Sequence, residues 1–524
     1  MTGRKPRPTK NRLMATRVVL AVLVLAVLAA LYGVAGVSRP IALASAAAAG
    51  APEQLPVTSA LVACPAPGSG SVTGGGIAIA SAPATTGAGQ VLMTGLAAAG
   101  GTSSGTGVGT TLHILTQPGQ LAIARIPAAS ALSKKLPVLK MAGGLVPTSA
   151  GRGGVIIQAV GAMSQGLDVD QLSPQGLPTA RCQPPGSDFW FVSPAAPTLH
   201  LQLYLVNTDS EPADADVSIQ TDSGPMLGSP DSGIVVPPHS MLVQTLDKLA
   251  HAATAVSLHV TTSVGRVVAA VRETTASTTN ARTTKPGIWL PAAQAAATHQ
   301  VLPGLPSSPG TRELYVAVPG NASAQIKVTA ITSRGSYQPT GGNGISLLGH
   351  LTTGIAIPSL AGIPAAIKIS SSVPVTAVLE ISGGPAGAPG AFISGSFPIQ
   401  GEGVLAASPI GRGVSSELVL SAPKGAARVQ IVQGLPGAVL TGQPGQVLQI
   451  PARSTIEVRI KLPKRSAKAT EIALVVTPLK GSGPVYAARV ELSGTTVETI
   501  LPVITSPTQI SLPDVRESLV AILR

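Results

Sequence analysis

Aromatic residues are scarce in this sequence, where two tryptophans, five tyrosines and four phenylalanines make up 2% of 524 residues. Surfaces that stack nucleic-acid bases depend on flat rings, so the scarcity argues against them. Charged residues are also few, at 11%, and beyond residue 17 the basic ones are spread thinly. Because a nucleic-acid groove needs a clustered basic stripe, we predict no nucleic-acid partner.

Catalytic motifs are equally scarce. The seven histidines form no HExxH, and the chain has no GxGxxG or Walker-type glycine loop. A single GxSxG at residues 101–105 lies in a Gly/Ser/Thr run, without the strand and helix that a nucleophile elbow needs. We therefore predict no catalytic residues, no cofactor and no metal site, and a protein that is not an enzyme.

Acidic residues cluster once, in the turn that holds Asp209, Glu211, Asp214 and Asp216. Carboxylate oxygens are ligands for Ca²⁺, but the EF-hand spacing is absent. We interpret the cluster as a solvated acidic turn, with a calcium site as the alternative.

Negative charge is absent from the first 17 residues, which carry six basic ones. The run that follows, residues 18–37, holds no charge of either sign. Twenty helical residues extend about 30 Å, the thickness of the hydrocarbon core of a bilayer. Since basic flanks stay in the cytoplasm, we predict a single-pass membrane protein with its bulk outside. The alternative is a secreted protein, released by cleavage at the small residues near 42–46.

Cysteine occurs twice, as Cys64 and Cys182, and both follow the apolar run. Outside the cytosol an isolated pair is typical of a disulfide. The chain has no CxxC and no third or fourth sulfur for zinc. The sequence therefore predicts a Cys64–Cys182 bridge.

Glycine (59) and proline (47) together form about a fifth of the chain, which excludes a long helical bundle. Strand-like alternation of period two recurs in three units. Each unit begins with two strands, then has a short strand that ends in proline, and closes with two strands around a tight turn. The opening pairs are Leu201–Val206 with Ala215–Ile219, Glu313–Val318 with Ala324–Val328, and Glu417–Leu420 with Ala427–Ile431. The proline-ended strands are Ile234–Pro237, Ile355–Pro358 and Leu448–Pro451. The closing pairs are Leu258–Thr261 with Val267–Glu273, Ile367–Ser370 with Val375–Glu380, and Leu474–Thr477 with Val485–Glu491.

The closing glutamates Glu273, Glu380 and Glu491 are spaced 107 and 111 residues apart, one β-sandwich per period. We assign them a structural role at strand ends. The predicted fold is all-β, with tandem immunoglobulin-like β-sandwich modules following one N-terminal transmembrane helix. The predicted segments are a basic cytoplasmic tail (1–17), the span (18–37), an Ala/Pro-rich stalk (38–60), four β modules (61–187, stapled by the disulfide, then 188–284, 285–395 and 396–495) and a C-terminal tail (496–524).

The two tryptophans, Trp190 and Trp289, occur near predicted module boundaries. We interpret both tryptophans as parts of strands that pack one module against the next. A ligand-binding aromatic platform is the alternative.

The Cys64-Pro65 opening, the Cys-Gln-Pro-Pro of Cys182 followed by Phe189-Trp190-Phe191, and the repeated proline-ended strands together resemble an actinobacterial family. That family is the secreted or membrane-anchored domain of unknown function 5719. The resemblance covers roughly residues 55–500 and implies a cell-envelope location. It implies no catalytic residue.

We expect a non-enzymatic, extracytoplasmic scaffold or interaction partner tethered to the cytoplasmic membrane. Its partners would be envelope proteins or a cell-wall polymer. The alternative function is a cell-wall polysaccharide-binding protein that uses Trp190 and Trp289. The sequence leaves the oligomeric state open.

Overall fold

The computed structural model describes much of the chain. The described residues are 19–30, 54–65, 76–83, 89–98, 111–116, 122–125, 144–145, 154–173, 178–226, 233–246, 253–275, 287–360, 362–382, 390–411, 413–436, 445–462 and 469–511. Outside them lie the basic tail, most of the stalk, the GxSxG at 101–105 and the last 13 residues of the C-terminal tail, 512–524. Residues 19–30 are helical. Among the described residues, no helix combines the length and apolar character needed to cross a membrane.

The fold is all-β and mostly antiparallel, as predicted. Two compact parts are distinguished, one made of residues 1–55 with 511–524 and the other of residues 56–510. Short strands β1 (Gln54–Pro56) and β37 (Gln509–Ser511) form a two-stranded sheet. All sheets described below belong to residues 56–510, and they form four pairs.

The first sheet pair carries the disulfide. One sheet has the order β2-β9-β4-β6 and the other β11-β10-β3-β7-β8. The strands are β2 (Ser59–Cys64), β3 (Gly76–Ala80), β4 (Gly89–Gly95), β6 (Thr111–Thr116), β7 (Ala122–Arg125), β8 (Gly144–Leu145), β9 (Val155–Gly161), β10 (Asp168–Leu172) and β11 (Pro178–Arg181). Cys64 ends β2 and Cys182 follows β11, so the Cys64–Cys182 disulfide links the two sheets. The predicted bridge is confirmed.

The second sheet pair consists of β12-β18-β14-β15, with β16 also on β14, and β20-β19-β13-β17-β5. The strands are β5 (Ala97–Ala98), β12 (Asp188–Pro194), β13 (Leu199–Asn207), β14 (Ala213–Thr221), β15 (Gly224–Pro225), β16 (Ile234–Val236), β17 (Ser240–Thr245), β18 (Ala255–Val264), β19 (Val268–Thr275) and β20 (Ile288–Leu290). β5 follows β4 of the first sheet pair in the chain yet pairs in parallel with β17, so it joins the first and second sheet pairs.

The third sheet pair is joined by one 18-residue strand. Residues 365–371 of this strand, β27, pair with β23, whereas residues 376–382 pair with β22. We expected two strands around a tight turn here. Instead the chain runs through Pro374 without reversing and passes from one sheet to the other. The strands are β21 (Ala297–Leu305), β22 (Thr311–Ala317), β23 (Ala324–Thr332), β24 (Gly335–Tyr337), β25 (Ile345–Leu347), β26 (Thr352–Ala356), β27 (Ala365–Ser382) and β28 (Ala391–Ser394).

The fourth sheet pair consists of β29-β34-β31-β32 and β33-β30-β35-β36. Its strands are β29 (Gly403–Pro409), β30 (Val414–Ala422), β31 (Ala427–Gly434), β32 (Gln446–Ile450), β33 (Ser454–Arg459), β34 (Glu471–Pro478), β35 (Tyr486–Ser493) and β36 (Thr496–Pro502). The two closing strands, β34 and β35, again lie in different sheets. Thus each repeat ends by crossing between its two layers.

The three repeat units share a turn, and this turn shows which of their strands correspond to one another. Among described residues, the non-glycine residues with positive φ are His239 (45°), His350 (58°) and Arg453 (56°). Each lies just after β16, β25 or β32 and before the next strand, at the same point of its unit. In the third unit the strand before this turn is therefore β25. The predicted Ile355–Pro358 instead overlaps the end of β26, because β25 is followed by Leu348-Gly349 rather than by proline.

Apolar side chains connect the four pairs in cyclic order. The core of the second pair includes Tyr315 and Phe392 of the third, and the core of the third includes Val490 and Ile500 of the fourth. Tyr204 and Met241 pack on Ala63 between the second and first pairs. The contact between the first and fourth pairs completes the cycle and is made by small residues. They are Ala78, Ala80 and Ala82 of the first pair and Val404, Ala406, Ala407, Ala473 and Val475 of the fourth. Because alanines allow close approach of two sheets, the first and fourth pairs pack directly.

Candidate functional site

Charged side chains from the first and fourth sheet pairs meet in the interior, between β10 and β35. They are Asp168, Asp170, Arg181, Arg489 and Glu491, hereafter the junction ion cluster. Asp170, Arg489 and Glu491 have no exposed surface, and Asp168 and Arg181 are nearly as buried. Because a buried charge without a partner is costly, these groups pair with one another.

Asp168 and Arg181 tie the first sheet pair to the backbone of the fourth. Arg181 Nε donates to Asp168 Oδ1 at 2.6 Å, and Arg181 Nη1 donates to the Pro502 carbonyl oxygen at 2.6 Å. Asp168 Oδ2 accepts a hydrogen bond from Ala406 N at 2.7 Å. Both side chains therefore bridge the junction.

Arg489 occupies the middle of the cluster. Its Nη2 lies 2.9 Å from Asp170 Oδ2 and its Nε 2.8 Å from Glu491 Oε1, while its Nη1 donates to the Ala407 carbonyl. Burial, the largest single effect, lowers the pKa of Arg489, but the charges of the neighbouring carboxylates together outweigh it, so that the pKa is raised. The guanidinium therefore stays charged and holds two carboxyl groups that come from different sheet pairs.

Burial raises the pKa of two carboxyl groups of the cluster, Asp168 and Glu491. Three carboxyl groups face two guanidinium groups, so the charges balance when one carboxyl is neutral. Burial raises the pKa of Glu491 to about 8, and the Arg489 charge offsets this only in part. Ser416 Oγ lies 2.5 Å from Glu491 Oε2 and 2.7 Å from the Pro409 carbonyl oxygen. Since a hydroxyl has one hydrogen, a protonated Glu491 that donates to Ser416 satisfies both contacts.

The other two closing glutamates lie where the second and third sheet pairs meet. Ser193 Oγ donates to Glu273 Oε2 at 2.9 Å, and Tyr315 OH donates to Glu380 Oε2 at 3.4 Å. Burial raises the pKa of Glu273 and the pKa of Glu380 to about 7. The charge of Glu380 adds a smaller rise to the pKa of Glu273, and the charge of Glu313 adds a smaller rise to the pKa of Glu380. Three carboxyl groups therefore lie near one another at this junction.

Trp190 is only 5% exposed. Its ring stacks on His259 with a centroid distance of 3.8 Å and an interplanar angle of 12°. His259 Nε2 lies 3.1 Å from Asp188 Oδ1, and burial, the largest effect, lowers the pKa of His259. One face of the indole is therefore covered by the second sheet pair's own side chain.

Trp289 is half-buried beside the first sheet pair. Tyr204 contacts it edge-on at 5.0 Å, and the Arg272 guanidinium lies 5.9 Å from the ring centroid. With its amide oriented to satisfy both neighbours, Gln171 accepts a hydrogen bond from Trp289 Nε1 at 3.0 Å and donates to the Pro65 carbonyl at 2.6 Å. Trp289 thus contributes to the contact between the first and second sheet pairs.

The acidic turn uses its carboxylates for local contacts. Arg266 donates to Asp209 through Nε at 2.8 Å and Nη2 at 3.0 Å, and these bonds lower the pKa of Asp209. Gly233 N donates to Asp216 Oδ1 at 2.7 Å. Within the described part of the chain, no group of three or more His, Cys, Asp or Glu side chains is arranged to hold a metal ion.

Sequence reasoning singled out Glu491 but not Arg489, Asp168, Asp170 or Arg181. A local signal exists, because Arg489 and Glu491 occupy alternate buried positions of β35, and Asp168 and Asp170 occupy alternate buried positions of β10. Opposite charges at alternate buried positions of distant strands suggest a pair. The pairing itself depends on long-range packing and could not be read from spacing.

A family model described as "Family of unknown function (DUF5719)" matches residues 145–461. No curated protein matches the chain.

Proposed function

Because the chain belongs to the DUF5719 family of unknown function, we propose its function from the structure: a non-enzymatic interaction scaffold in the cell envelope. The observation that carries the proposal is the cyclic packing of four sheet pairs. Each junction that we describe is filled by apolar side chains, and the junction ion cluster uses its charges to hold two pairs together. Such packing favours a stiff body that presents strand edges and loops to partners.

We further propose that each sheet pair is an immunoglobulin-like β-sandwich. Two antiparallel layers share an apolar core, and in the three repeats the closing strands cross from one layer to the other. Fold alone does not decide function, because sandwiches host many activities.

The body is proposed to lie outside the membrane, anchored by residues 18–37. Support comes from the uncharged apolar run behind six basic residues and from the Cys64–Cys182 disulfide, since such bridges persist in oxidising compartments. Protease added to intact protoplasts should remove the body. Protection of the body would contradict this placement.

The scaffold proposal is tested by crosslinking the full chain in living cells and identifying the captured proteins. We expect recurrent envelope proteins, and the Asp209–Arg266 turn variant Asp209→Asn should capture the same set, because the change is local. Recovery of cell-wall polymer without protein would favour the polysaccharide-binding alternative. In that case Trp289→Ala should release the protein from isolated walls, whereas unchanged retention would remove the tryptophan platform.

A further inference from the structure

The three closing glutamates occupy equivalent strand ends but have different surroundings. Glu491 contacts the charged Arg489, which also holds Asp170 of the first sheet pair. Glu273 and Glu380 have hydroxyl partners, Ser193 and Tyr315. Among the described residues, no cation pairs with either. The junction between the fourth and first pairs is thus charge-compensated, whereas the junction between the second and third is not.

The second and third sheet pairs meet through apolar and hydroxyl contacts. Phe392 and Tyr315, from one face of the third pair, pack into the core cluster of the second. Ser257 and Thr352 share a hydrogen bond of 2.8 Å across the junction, and Thr352 Oγ1 also donates to the Gln220 carbonyl at 3.2 Å. None of these contacts is ionic.

Glycines make room for the carboxyl groups of the third pair. A Cβ on Gly390 would lie 2.4 Å from Glu380 Oε1, and one on Gly354 would lie 2.4 Å from Glu313 Oε1. Glu313 and Glu380 are directly opposite in the β22–β27 ladder. Like charges at such positions repel, so the site has space for both side chains but no charge that favours their joint ionisation.

Other charged groups on these strands face away. Arg272 and His200 are in register with Gln202 and Thr274, on the face of β13 and β19 opposite to Glu273. Arg312 is in register with Ile381 and donates to the backbone of Ser308 and Gly310. The groups that face Glu273 and Glu380 are therefore Glu313, Tyr315 and Ser193.

We propose that the junction between the second and third sheet pairs is a proton-dependent joint, packed while Glu273 and Glu380 are neutral and loosened when both ionise. Ionisation places like charges in an apolar contact without a counter-charge, and opening lets water solvate them. The pKa values of about 7 put this change between pH 5.5 and 8.5. The cluster at the other junction keeps its compensating Arg489 over this range.

The joint is tested on the full chain by hydroxyl-radical footprinting at pH 5.5 and 8.5. Oxidation of Tyr315 and Phe392, whose rings pack in the joint, should rise several-fold at the higher pH. Oxidation of Met241, which packs between the first and second pairs, should stay constant. Equal oxidation of Tyr315 and Phe392 at both pH values would overturn the proposal, and so would a parallel rise at Met241, which indicates general unfolding.

Two variants assign the effect. The double variant Glu273→Gln/Glu380→Gln mimics the neutral carboxyl groups and should stay packed at both pH values. Glu498→Gln, a change at an exposed glutamate of β36 whose pKa is raised by partial desolvation, should keep the wild-type response. A double variant that opens like the wild type would refute the role of these carboxyl groups. If the double variant fails to fold, each single variant should show a reduced response, and a full response in both would refute it equally.

Discussion

Arg489 Nη2 lies 2.9 Å from Asp170 Oδ2, and neither residue has exposed surface, although one belongs to the last sheet pair and the other to the first. The guanidinium also holds Glu491. The contact joins β10 and β35, two strands that are far apart in the sequence. It explains how charged side chains are accommodated beside the alanines and valines through which the first and fourth pairs pack.

Replacing Arg489 should be severely destabilising. In Arg489→Met, Asp170 loses its cation while remaining buried, and breaking one side of a buried pair typically costs about 3–5 kcal/mol. Chemical denaturation of the full chain measures the loss.

Arg266→Met is the matched control, because Arg266 pairs with Asp209 where the arginine side chain is 50% exposed. Exposed pairs contribute about 0–1 kcal/mol, so this variant should unfold close to the wild type. Equal losses in the two variants would show that burial of the Arg489 pair does not matter.

Glu491 should make stability depend on pH. The pKa of its carboxyl is about 8 in the folded protein and near 4.5 when unfolded, so the unfolded chain releases this proton first. Stability therefore falls as pH rises from about 4.5 to about 8, by up to about 1.4 kcal/mol per pH unit from this group. Glu491→Gln should remain within about 1 kcal/mol of the wild type at pH 5, because glutamine mimics the neutral acid, and should lose less stability by pH 8.5. Parallel pH profiles for the two proteins would show that Glu491 is ionised when folded.

The disulfide should stabilise the first sheet pair. It links β2 to the residue after β11 across 118 positions, and loss of such a bridge typically costs about 2–5 kcal/mol. We expect the double variant Cys64→Ala/Cys182→Ala to lose stability in this range in a denaturant titration. A reducing agent should lower the stability of the wild type and leave the variant unchanged. If the reductant has no effect on the unfolding midpoint of the wild type, the bridge contributes nothing to stability.

The repeat was predictable from sequence because its strands alternate. In β23, Ala324–Thr332, exposed and buried residues alternate over the first five positions, and this pattern is visible in the letters alone. The predicted alignment was wrong at the middle strand of the third unit because the proline that marks it elsewhere is absent there. The continuous β27 was also missed, since Pro374 suggests a break rather than passage between two sheets.

The junctions were not predictable in the same way. The alternation tells which residues of a strand are buried, but not which distant strand covers them. Ala406 and Ala78 carry no marker that the fourth pair packs on the first. The charged residues at buried positions of β10 and β35 are the feature of the sequence that reflects this contact. They identify their partners only when the strands are seen together.

The cooperative unit should extend beyond the residues that the family model matches. The match covers 145–461, which leaves out β2, β3 and β4 of the first sheet pair and β34, β35 and β36 of the fourth. β34 lies between β29 and β31, and β35 lies between β30 and β36, so a 145–461 fragment has unpaired central edges in both layers of the fourth pair. It also lacks Arg489.

We expect this fragment to aggregate or to be cut rapidly by protease. A 56–510 fragment should resist the protease and show the circular dichroism spectrum of a folded β protein before it melts. A stable, protease-resistant 145–461 fragment would show that the junction between the first and fourth pairs is dispensable for folding.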